Sequence, residues 1–506
     1  MRTALHPHQE RGLNALRDAL REGHRRVVLQ APTGSGKTIL AAGAIDSALS
    51  KGKRVVFTVP ALELIDQTVT RLFEQGITDV GVIQGKHPME DWSKPVQVAS
   101  VQTLMNRERP ETDLWMIDEC HVFFKYYETL FAEATQPIIG LSATPWTKGL
   151  GKWYSKLVVA ATMRELQTTI NPATDAPYLV TESVLAPTHI DLGDVKTVAG
   201  DYHQGQLADK MNRPDLIGDI VRTWQKEGQG RSTIMFGVDR AHAKSTQKAF
   251  ENAGIPCGYI DGFSDRTARR AVRDSFERGG IKVVCSIGCL TTGVDWDVRC
   301  IILARPTKSE MLFVQMIGRG LRPAEAKEDC LILDHTDTYQ RLGFAADIHH
   351  GKLHDGKTRG PVEAERKIKL PVECKGRFEG EPCGRIKQPG EHMCNRCGFA
   401  PERVNGITFA DGELGAMEHG ARADRAAQAD FYAQLKWIAK AKDYKPGWTE
   451  HKFKAKFKEF PPKSWRSVIK PMPPGREVNG WVQHMAIRYR HSTRKGDLLA
   501  GSWEGR

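Results

Sequence analysis

Short apolar runs and longer amphipathic stretches alternate along two separate regions of the chain. In the first region the apolar runs are short enough to be buried parallel strands. These runs are Val27–Gln30, Arg54–Pro60, Val96–Ser100, Leu114–Asp118 and Pro137–Ser142. Amphipathic patterns such as Leu62–Phe73 separate some of them. This alternation predicts a doubly wound α/β domain, in which ligands bind beyond the carboxyl ends of the strands.

The second region repeats the alternation with its own strands and helices. Its predicted strands are Ser232–Val238, Gly258–Asp261, Ile281–Ile287, Cys300–Arg305 and Cys330–Asp334. Its predicted helices are Arg240–Asn252, Asp265–Arg278 and Ser309–Gly318. Between the two regions the pattern is irregular, with one helix predicted at Pro214–Lys226. We therefore expect two tandem α/β domains with parallel sheets, joined by a connecting region.

Composition shifts after the second region indicate smaller modules. A polar stretch rich in Gly and His is followed by a cysteine cluster, an Ala-rich helical pattern at Gly415–Lys440, and a basic, aromatic end. The predicted divisions are a first α/β domain at 1–150, a connecting region at 151–230, a second α/β domain at 231–335, a linker at 336–370, a cysteine-containing module at 371–400, and a basic, mostly helical region at 401–506.

The composition is that of an ordinary globular protein. Of 506 residues, 40% are hydrophobic and 26% charged, and no apolar run is long enough to span a membrane. The first residues lack the apolar core of a signal peptide. Ten cysteines without a regular framework fit a reducing compartment. We therefore expect a cytoplasmic protein rather than a membrane or secreted one.

The basic charge is concentrated at one end of the chain. The net charge is +12, and from Phe431 onward there are 17 Lys and Arg residues against 6 Asp and Glu, whereas the preceding residues carry 56 against 55. A basic segment of this kind indicates a polyanionic partner, most often nucleic acid.

A phosphate-binding loop follows the first predicted strand. The sequence APTGSGKT at 31–38 stands between a strand and a helical pattern, as such a loop requires. Gly34 and Gly36 would let backbone N–H groups of Thr33, Ser35 and their neighbours turn toward phosphate oxygens. Lys37 would reach the β- and γ-phosphates, and the Thr38 hydroxyl would bind Mg²⁺.

An apolar strand ending in two adjacent acids supplies a second part of a nucleotide hydrolase. In LWMIDECH at 114–121, Asp118 would hold Mg²⁺ through water, and Glu119 would polarise the attacking water as general base.

The sequence QMIGRGLR at 315–322 lies on a helical pattern. Its spacing predicts that Gln315, Arg319 and Arg322 share one helix face. The two guanidinium groups would then reach a γ-phosphate held by the other domain, as arginine fingers do.

These sequences, in this order, resemble the DEAD/DEAH-box (DExH) helicases of superfamily 2, together with the SAT at 142–144. The resemblance covers about residues 5–335 and implies two RecA-like P-loop domains and a nucleic-acid-dependent ATPase that uses ATP and Mg²⁺. LHPHQ at 5–9 resembles the segment whose glutamine, here Gln9, reads adenine. Two further segments resemble the family's motifs that contact a nucleic-acid strand. They are Val59–Pro60 with Leu64 and Gln67, and SVQT at 100–103.

The resemblance also implies roles for further residues. His121, Ser142 and Thr144 would couple the ATP site to the bound strand. LTTGVD at 290–295 resembles the motif that joins nucleotide and nucleic acid, with Gly293 for an unusual backbone turn and Asp295 on the nucleotide side.

Four cysteines stand close together after the second region: Cys374, Cys383, Cys394 and Cys397. Four thiolates suit a structural, tetrahedral Zn²⁺, although the first pair is more widely spaced than is usual. His392 is an alternative ligand, and four free thiols in a small core are the other interpretation.

The basic end contains 12 of the 39 aromatic residues, including five Trp. Phe453, Phe457 and Phe460 fit helical spacing, but the Lys-Phe alternation around them fits a strand equally well. We expect the aromatic residues to form a small core and the lysines to contact phosphates.

The order of motor, linker, cysteine cluster and Trp/Lys-rich end resembles the bacterial RadD-like DNA helicases and their phage-encoded relatives. That resemblance implies an ATP-dependent DNA helicase or translocase in recombination, repair or replication. An RNA helicase on the same motor, and an ATP-gated nucleic-acid clamp that separates no strands, are the alternatives.

Overall fold

Two parallel β-sheets, each flanked by helices, account for most of the chain. The computed structural model describes residues 2–186, 190–198, 200–291, 295–357, 370–401, 425–475 and 477–485. These residues belong to two units, Met1–Arg403 and Val404–Arg506. The first unit contains both sheets; we call residues 2–160 the first half and residues 161–348 the second half.

The first half is built on a seven-stranded sheet. Its elements are α1 (Pro7–Arg21), β1 (Arg26–Gln30), α2 (Lys37–Leu49), β2 (Val55–Val59), α3 (Glu63–Glu74), β3 (Val80–Ile83), β4 (Val96–Ser100), α4 (Val101–Leu104), β5 (Leu114–Ile117), α5 (Lys125–Glu133), β6 (Ile138–Ser142), a 3₁₀ turn (Leu150–Lys152) and β7 (Lys156–Val159). The strand order is β3-β4-β2-β5-β6-β1-β7, and every pair is parallel.

Burial of this sheet on both faces explains why its strands appear in the sequence as apolar runs. Strands β2, β4 and β6 are buried at every position, because hydrophobic side chains pack on both faces of the sheet. Such strands appear as continuous apolar runs, which is why the sequence predicts them. The two edge strands, β3 and β7, were not predicted, since each is only four residues long and Gly81 interrupts the apolar pattern of β3.

The second half begins with elements from the predicted connecting region. They are α6 (Met163–Thr168), β8 (Ile170–Asn171), β9 (Ala176–Pro177), β10 (Thr181–Leu185), β11 (Thr197–Val198), β12 (Asp201–Tyr202), α7 (Gln204–Met211), α8 (Pro214–Thr223) and a π-helical turn (Trp224–Gly228). Strand β10 joins the second sheet at its edge, paired in parallel with the last strand of that sheet.

The remaining elements complete a six-stranded parallel sheet. They are β13 (Thr233–Phe236), α9 (Arg240–Asn252), β14 (Cys257–Ile260), α10 (Arg266–Glu277), β15 (Val283–Ser286), β16 (Cys300–Leu303), α11 (Glu310–Ile317), β17 (Asp329–Asp334), α12 (Thr338–Leu342) and a 3₁₀ turn (Ala345–Asp347). The order is β10-β17-β16-β13-β15-β14, again with hydrophobic clusters on both faces. The two tandem parallel-sheet domains predicted from sequence are thus confirmed.

A segment after the second sheet returns to the first half. In this return segment, residues 349–357, the His354 carbonyl accepts a hydrogen bond from the Gly151 N–H at 2.8 Å. Leu353 packs against the core on one face of the first sheet, and the His350 ring lies 5.0 Å from the Trp146 ring. The return segment occupies part of the predicted linker.

The cysteine cluster lies on two small hairpins. Their strands are β18 (Val372–Glu373), β19 (Arg377–Phe378), β20 (Glu381–Pro382) and β21 (Ile386–Lys387). Strand β18 pairs with β21, and β19 with β20. The hairpins contact the second half, where the Ala186 N–H donates to the Gly384 carbonyl at 2.8 Å and Arg396 forms a two-pronged ion pair with Glu227.

The second unit is helical where the structure describes it. It contains α13 (Arg425–Ala441), α14 (Trp448–Phe457), α15 (Trp465–Val468) and a further helix at residues 477–485. Helices α13 and α14 enclose a small core that includes Tyr432, Leu435 and Phe453. The ambiguous Lys-Phe alternation is therefore helical. Among the described helices, none combines the length and apolar composition that a membrane crossing requires.

Candidate active site

A cleft between the two halves gathers most of the predicted site residues. Its volume is about 420 Å³, within the range of ligand pockets. The first half contributes the loop after β1, the start of α2, the end of β5 and one side of α3. The second half contributes Asp295 and residues that follow α11. The lining includes Thr33, Gly34, Gly36, Lys37, Thr38, Asp118, Glu119, Asp295, Arg319 and Arg322.

The loop after β1 has the backbone that a phosphate cradle needs. Gly34 and Gly36 have φ values of 86° and 80°, a region that favours glycine. A Cβ on Gly36 would lie 2.3 Å from the Gln9 Nε2, so no side chain fits there. Helix α2 then begins at Lys37 without a side-chain cap, which leaves its first N–H groups directed at the cleft.

Lys37 and the two acids form a buried charged group on the floor of the cleft. The Lys37 Nζ lies 2.5 Å from the Glu119 Oε1 and 3.6 Å from the Asp118 Oδ1. Burial lowers the pKa of Lys37, but the two carboxylates outweigh burial and the net pKa is raised. Burial raises the pKa of Asp118 to about 6, although Lys37 opposes it. The Lys37 ammonium thus offsets part of the free-energy cost of burying the two carboxylates.

Glu119 occupies an unusual backbone position at this point. Its φ of 48° is rare for a residue other than glycine, and it lies directly after the carboxyl end of β5. Burial acts to raise the pKa of Glu119, but the charges around it, that of Lys37 foremost, outweigh burial, so the carboxyl group has a pKa below its usual value. A carboxylate that stays ionised can accept a proton from water.

Two arginines of the second half face this group. Helix α11 ends at Ile317, so Arg319 and Arg322 lie in the turn that follows it. The prediction that they share a helix face with Gln315 is therefore wrong, because the backbone leaves the helix at Gly318. The turn nevertheless places both arginines on the cleft. Burial, with the charge of Arg322, lowers the pKa of Arg319 to about 9.

Asp295 lies between two arginines from opposite halves. Its carboxylate oxygens are 2.5 Å from the Arg322 Nη1 and 2.6 Å from the Arg71 Nη2, where Arg71 belongs to α3. The side chain of Asp295 is exposed, so this bridge is accessible to a ligand that enters the cleft. Gly293, the predicted turn residue of the same motif, lies outside the described residues.

A hydrogen-bond network crosses from the second half to the predicted coupling residues. The Gln315 Nε2 donates to the Thr144 Oγ1 at 2.9 Å and to the His121 Nε2 at 3.0 Å. Since an amide nitrogen only donates, the His121 Nε2 must accept, and the imidazole proton lies on Nδ1. That Nδ1 is 2.9 Å from the Ser142 Oγ and 3.3 Å from the Glu119 Oε2. Glu119 is thus linked to the second half through one histidine.

Gln9 adjoins the phosphate loop from α1. Its Nε2 donates to the Ser35 carbonyl at 3.0 Å, while its Oε1 accepts the His6 N–H at 2.9 Å. Gln9 also lines a second cavity of about 670 Å³ that shares Gly34 and Gly36 with the first. The ring of Tyr178 forms part of its wall.

The predicted strand-contacting residues lie beyond the carboxyl ends of β2 and β4. The Gln102 Nε2 donates to the Pro60 carbonyl at 2.7 Å and so joins the two motifs. The Ser100 Oγ caps α4 by accepting the Thr103 N–H at 3.3 Å. Gln67 lines the nucleotide cleft.

The four cysteines converge as a metal site requires. Their sulfur atoms all lie within 4.8 Å of one another, with 3.5 Å between Cys374 and Cys397 and 3.8 Å between Cys383 and Cys394. A tetrahedron with Zn–S bonds of about 2.3 Å has edges of about 3.8 Å, whereas a disulfide needs about 2.05 Å. The β19–β20 hairpin accounts for the wide spacing of the first pair. His392 is not part of the group.

Two residues that line these cavities, one in each, escaped sequence analysis. Arg71 follows Gln67 by one helical turn on α3, so helical spacing would have identified it. Tyr178 lies in the irregular connecting region, where no pattern distinguishes it from a core residue.

Both halves match known families. Residues 2–147 match the family described as "Type III restriction enzyme, res subunit", and residues 212–324 match "Helicase conserved C-terminal domain". A fragment of a type I restriction enzyme HsdR subunit from Vibrio vulnificus YJ016 has a similar fold, with a TM-score of 0.51 and 20% identity over 69% of this chain and 66% of that one.

Two relatives bear the names of helicases. IRC3 of Saccharomyces cerevisiae, named as an ATP-dependent helicase, is 29% identical over 359 residues, which are 65% of this chain and 51% of the yeast protein. The chain thus spans about half the length of that relative. The ATP-dependent DNA helicase UvsW of Enterobacteria phage T4 is 24% identical over 357 residues, covering 64% of this chain and 68% of UvsW. These matches in both halves confirm the resemblance to the DExH helicases of superfamily 2 that the sequence motifs indicated.

Proposed function

We propose that this protein is an ATP-dependent DNA helicase or translocase, which couples ATP hydrolysis to movement on DNA or to its unwinding. The observation that carries the proposal is the contact of Gln315 with His121 and Thr144. It links the hydrolytic group of one half to the other half, as a motor with two moving parts requires. An ATPase complete within one domain has no need of it.

The first half holds the nucleotide. The N–H groups of the loop 33–38 cradle its phosphates, Lys37 leaves its two carboxylates to contact the β- and γ-phosphates, and Gln9 reads the adenine. Thr38 and Asp118 are the residues that hold Mg²⁺, which neutralises phosphate charge when bound. Glu119, released from Lys37, orients the attacking water and accepts its proton.

The second half completes the site from the opposite wall. Arg319 and Arg322 stabilise the charge that develops on the transferred phosphoryl group, and Asp295 contacts the nucleotide from the same side, with Gly293 shaping its loop. Because the two halves share the nucleotide, binding closes the cleft and product release opens it. His121, Ser142, Thr144 and Gln315 transmit this change to the strand-contacting motifs.

DNA is the substrate that we favour. The UvsW relative is named as a DNA helicase, and the RadD-like resemblance implies recombination, repair or replication. Contacts to the phosphate backbone would make the motor nearly independent of sequence. An RNA helicase, or a clamp that hydrolyses ATP without separating strands, is the competing function.

The four cysteines bind a structural Zn²⁺. The sulfur positions fit a tetrahedral site, and the Arg396–Glu227 ion pair attaches the module to the second half. Its role is to stabilise the two small hairpins, which have too little apolar core to be stable alone. Removal of zinc by a chelator should release about one equivalent of metal and expose the four thiols to a thiol reagent.

The lysines of the second unit contact nucleic-acid phosphates. Lys454 and Lys456 on α14 and Lys458 directly after it are exposed, while the adjacent Phe453 is buried in the core. Deletion of residues 431–506 should therefore flatten the salt dependence of binding, because fewer counterions are released. An unchanged slope would contradict this assignment.

ATP hydrolysis tests the whole proposal when it is measured without polymer and with single-stranded DNA, forked DNA and single-stranded RNA. We expect strong stimulation by DNA. Glu119→Gln should lower kcat by roughly 10²- to 10⁴-fold, whereas Lys37→Ala should also weaken nucleotide binding. Separate measurement of unwinding distinguishes a helicase from a clamp. Stronger stimulation by RNA would contradict the DNA assignment. A rate of ATP hydrolysis that is the same with and without each nucleic acid would contradict the motor function.

A further inference from the structure

Phe263 is held in solvent at the edge of the second sheet. Its ring is 81% exposed, the highest value for a large hydrophobic side chain among the described residues. Leaving such a ring in water forgoes the favourable free energy of burying it. None of the contacts described above for the nucleotide cleft or the zinc module involves it.

The backbone that carries Phe263 is fixed by a buried carboxylate. The Asp261 Oδ1 accepts the N–H groups of Phe263 and Ser264 at 2.9 and 2.8 Å and the Ser264 hydroxyl at 3.0 Å. Its Oδ2 accepts the Tyr259 hydroxyl at 2.8 Å and lies 2.8 Å from the Arg240 Nε. The turn that carries the exposed ring is therefore held in place by several hydrogen bonds and an ion pair.

Arg240 also contacts the ring itself. Its guanidinium carbon lies 4.7 Å from the Phe263 ring centroid, in cation–π contact. An aromatic ring beside a cation is the combination with which proteins bind unpaired nucleotides, since the ring stacks on the base and the cation attracts the phosphate.

The turn faces the first half where strand-contacting motifs are expected. It follows the carboxyl end of β14, and Arg266, three residues after Phe263, has its Nη2 2.5 Å from the Asp66 Oδ2 of α3. One turn before Asp66, Leu62 is 48% exposed beside Pro60. Phe263 and Leu62 thus flank the same contact between the halves.

We propose that Phe263 stacks on an unpaired base of the strand bound across the two halves. This inference rests on the proposed function and adds a base contact to a motor otherwise expected to grip phosphates alone. The stacked base would mark the position where the strand passes from one half to the other.

The test compares the affinity of the full-length protein for a single-stranded DNA and for the same strand with abasic residues, both with a non-hydrolysable ATP analogue. We expect the wild type to prefer the strand that carries bases by about tenfold, a typical value for one stacking contact. Phe263→Ala should remove most of this preference without weakening binding to the abasic strand. Phe263→Trp should preserve it.

Trp92→Ala is the matched control. Trp92 is also an exposed aromatic residue. It precedes the amino end of β4, whereas the predicted nucleic-acid contacts lie at the carboxyl ends of the strands. It should leave the preference unchanged. An unaltered preference in Phe263→Ala, or no preference in the wild type, overturns the inference while leaving the motor intact. A wild type that binds neither strand overturns the proposed function and this inference with it.

Discussion

The loop after β1 and the loop after β13 each lead from a buried parallel strand into a 13-residue helix, yet only the first is built for a phosphate. Helix α2 begins with no side-chain cap behind Gly36. Helix α9 begins behind Asp239, whose carboxylate accepts the His242 N–H at 2.8 Å. The His242 Nδ1 in turn accepts the Val238 N–H at 3.3 Å.

This difference shows how similar folds acquire different roles. A helix N-terminus has several N–H groups without internal partners, and something must satisfy them. In the second half the chain's own side chains do so, as in an ordinary capped helix. In the first half no side chain does so, and arginines of the second half line the cleft that these groups face.

Among these substitutions, replacing Arg319 should have the largest effect, a loss of ATP hydrolysis, because it removes a proposed contribution of the second half to the reaction. Arg319→Gln should lower kcat by about 10³-fold with little loss of nucleotide binding, as for other arginine fingers. Steady-state hydrolysis and binding of a non-hydrolysable analogue measure the two effects. Arg278→Gln, at the exposed end of α10, is the control and should leave kcat unchanged. Equal kcat values for the two variants would contradict the role of Arg319.

Acid should destabilise the second half through His242. Burial lowers the pKa of His242 to about 4. Above pH 6.5 the ring is neutral in both states; below it the unfolded chain binds the proton first, so stability falls until about pH 4. The loss should reach about 2 kcal/mol at pH 5 and about 3 kcal/mol in total. Urea unfolding at pH 7.5 and 5 measures it, and His242→Gln should show a smaller loss. The same loss in both proteins would exclude His242 as its source.

Adding a methyl group to the phosphate loop should weaken nucleotide binding by the first half. Gly36→Ala brings a Cβ to 2.3 Å from the Gln9 Nε2 at a φ of 80°, so nucleotide affinity should fall by about tenfold or more. Gly52→Ala is the control, because Gly52 also has a positive φ of 67° but nothing lies within 4 Å of the added Cβ. Isothermal titration with a non-hydrolysable analogue should separate the two variants. Similar losses in both would implicate backbone strain alone.

Loss of the cap on α9 should have the smallest effect. Asp239→Ala leaves N–H groups of the helix unsatisfied and should reduce the free energy of unfolding by about 1 kcal/mol, without changing nucleotide affinity. Asp239→Asn, which keeps a capping oxygen, should retain most of that stability. Thermal unfolding of the three proteins tests the order. An effect on nucleotide affinity would show that the two loops are not independent.

The parts predicted well from sequence are those where local pattern and burial coincide. The apolar runs that became β2, β4 and β6 are buried on both faces, and the phosphate loop lies between a strand and a helix as its glycines indicate. Edge strands β3 and β7 lack such runs. The end of α11 was misplaced because the pattern continues past Gly318, whereas the backbone turns there to bring Arg319 to the cleft.

Contacts between distant segments were beyond prediction. Nothing local in Asp295 indicates that it bridges Arg71 and Arg322, and Tyr178 resembles any core aromatic residue. The four cysteines were recognised, but the hairpin that reconciles their spacing depends on backbone pairing between β19 and β20.

The return segment connects the two halves a second time, through packing in addition to the covalent chain. One connection runs forward from β7 to α6, and the other runs back from the second sheet to Leu353 and Gly151. Once the contacts across the cleft separate, two bodies that remain held at these two points keep mainly rotation about the line between them. Opening of the cleft therefore has a defined axis, so that the free energy of a ligand bound in the cleft is directed into one movement rather than spread over many.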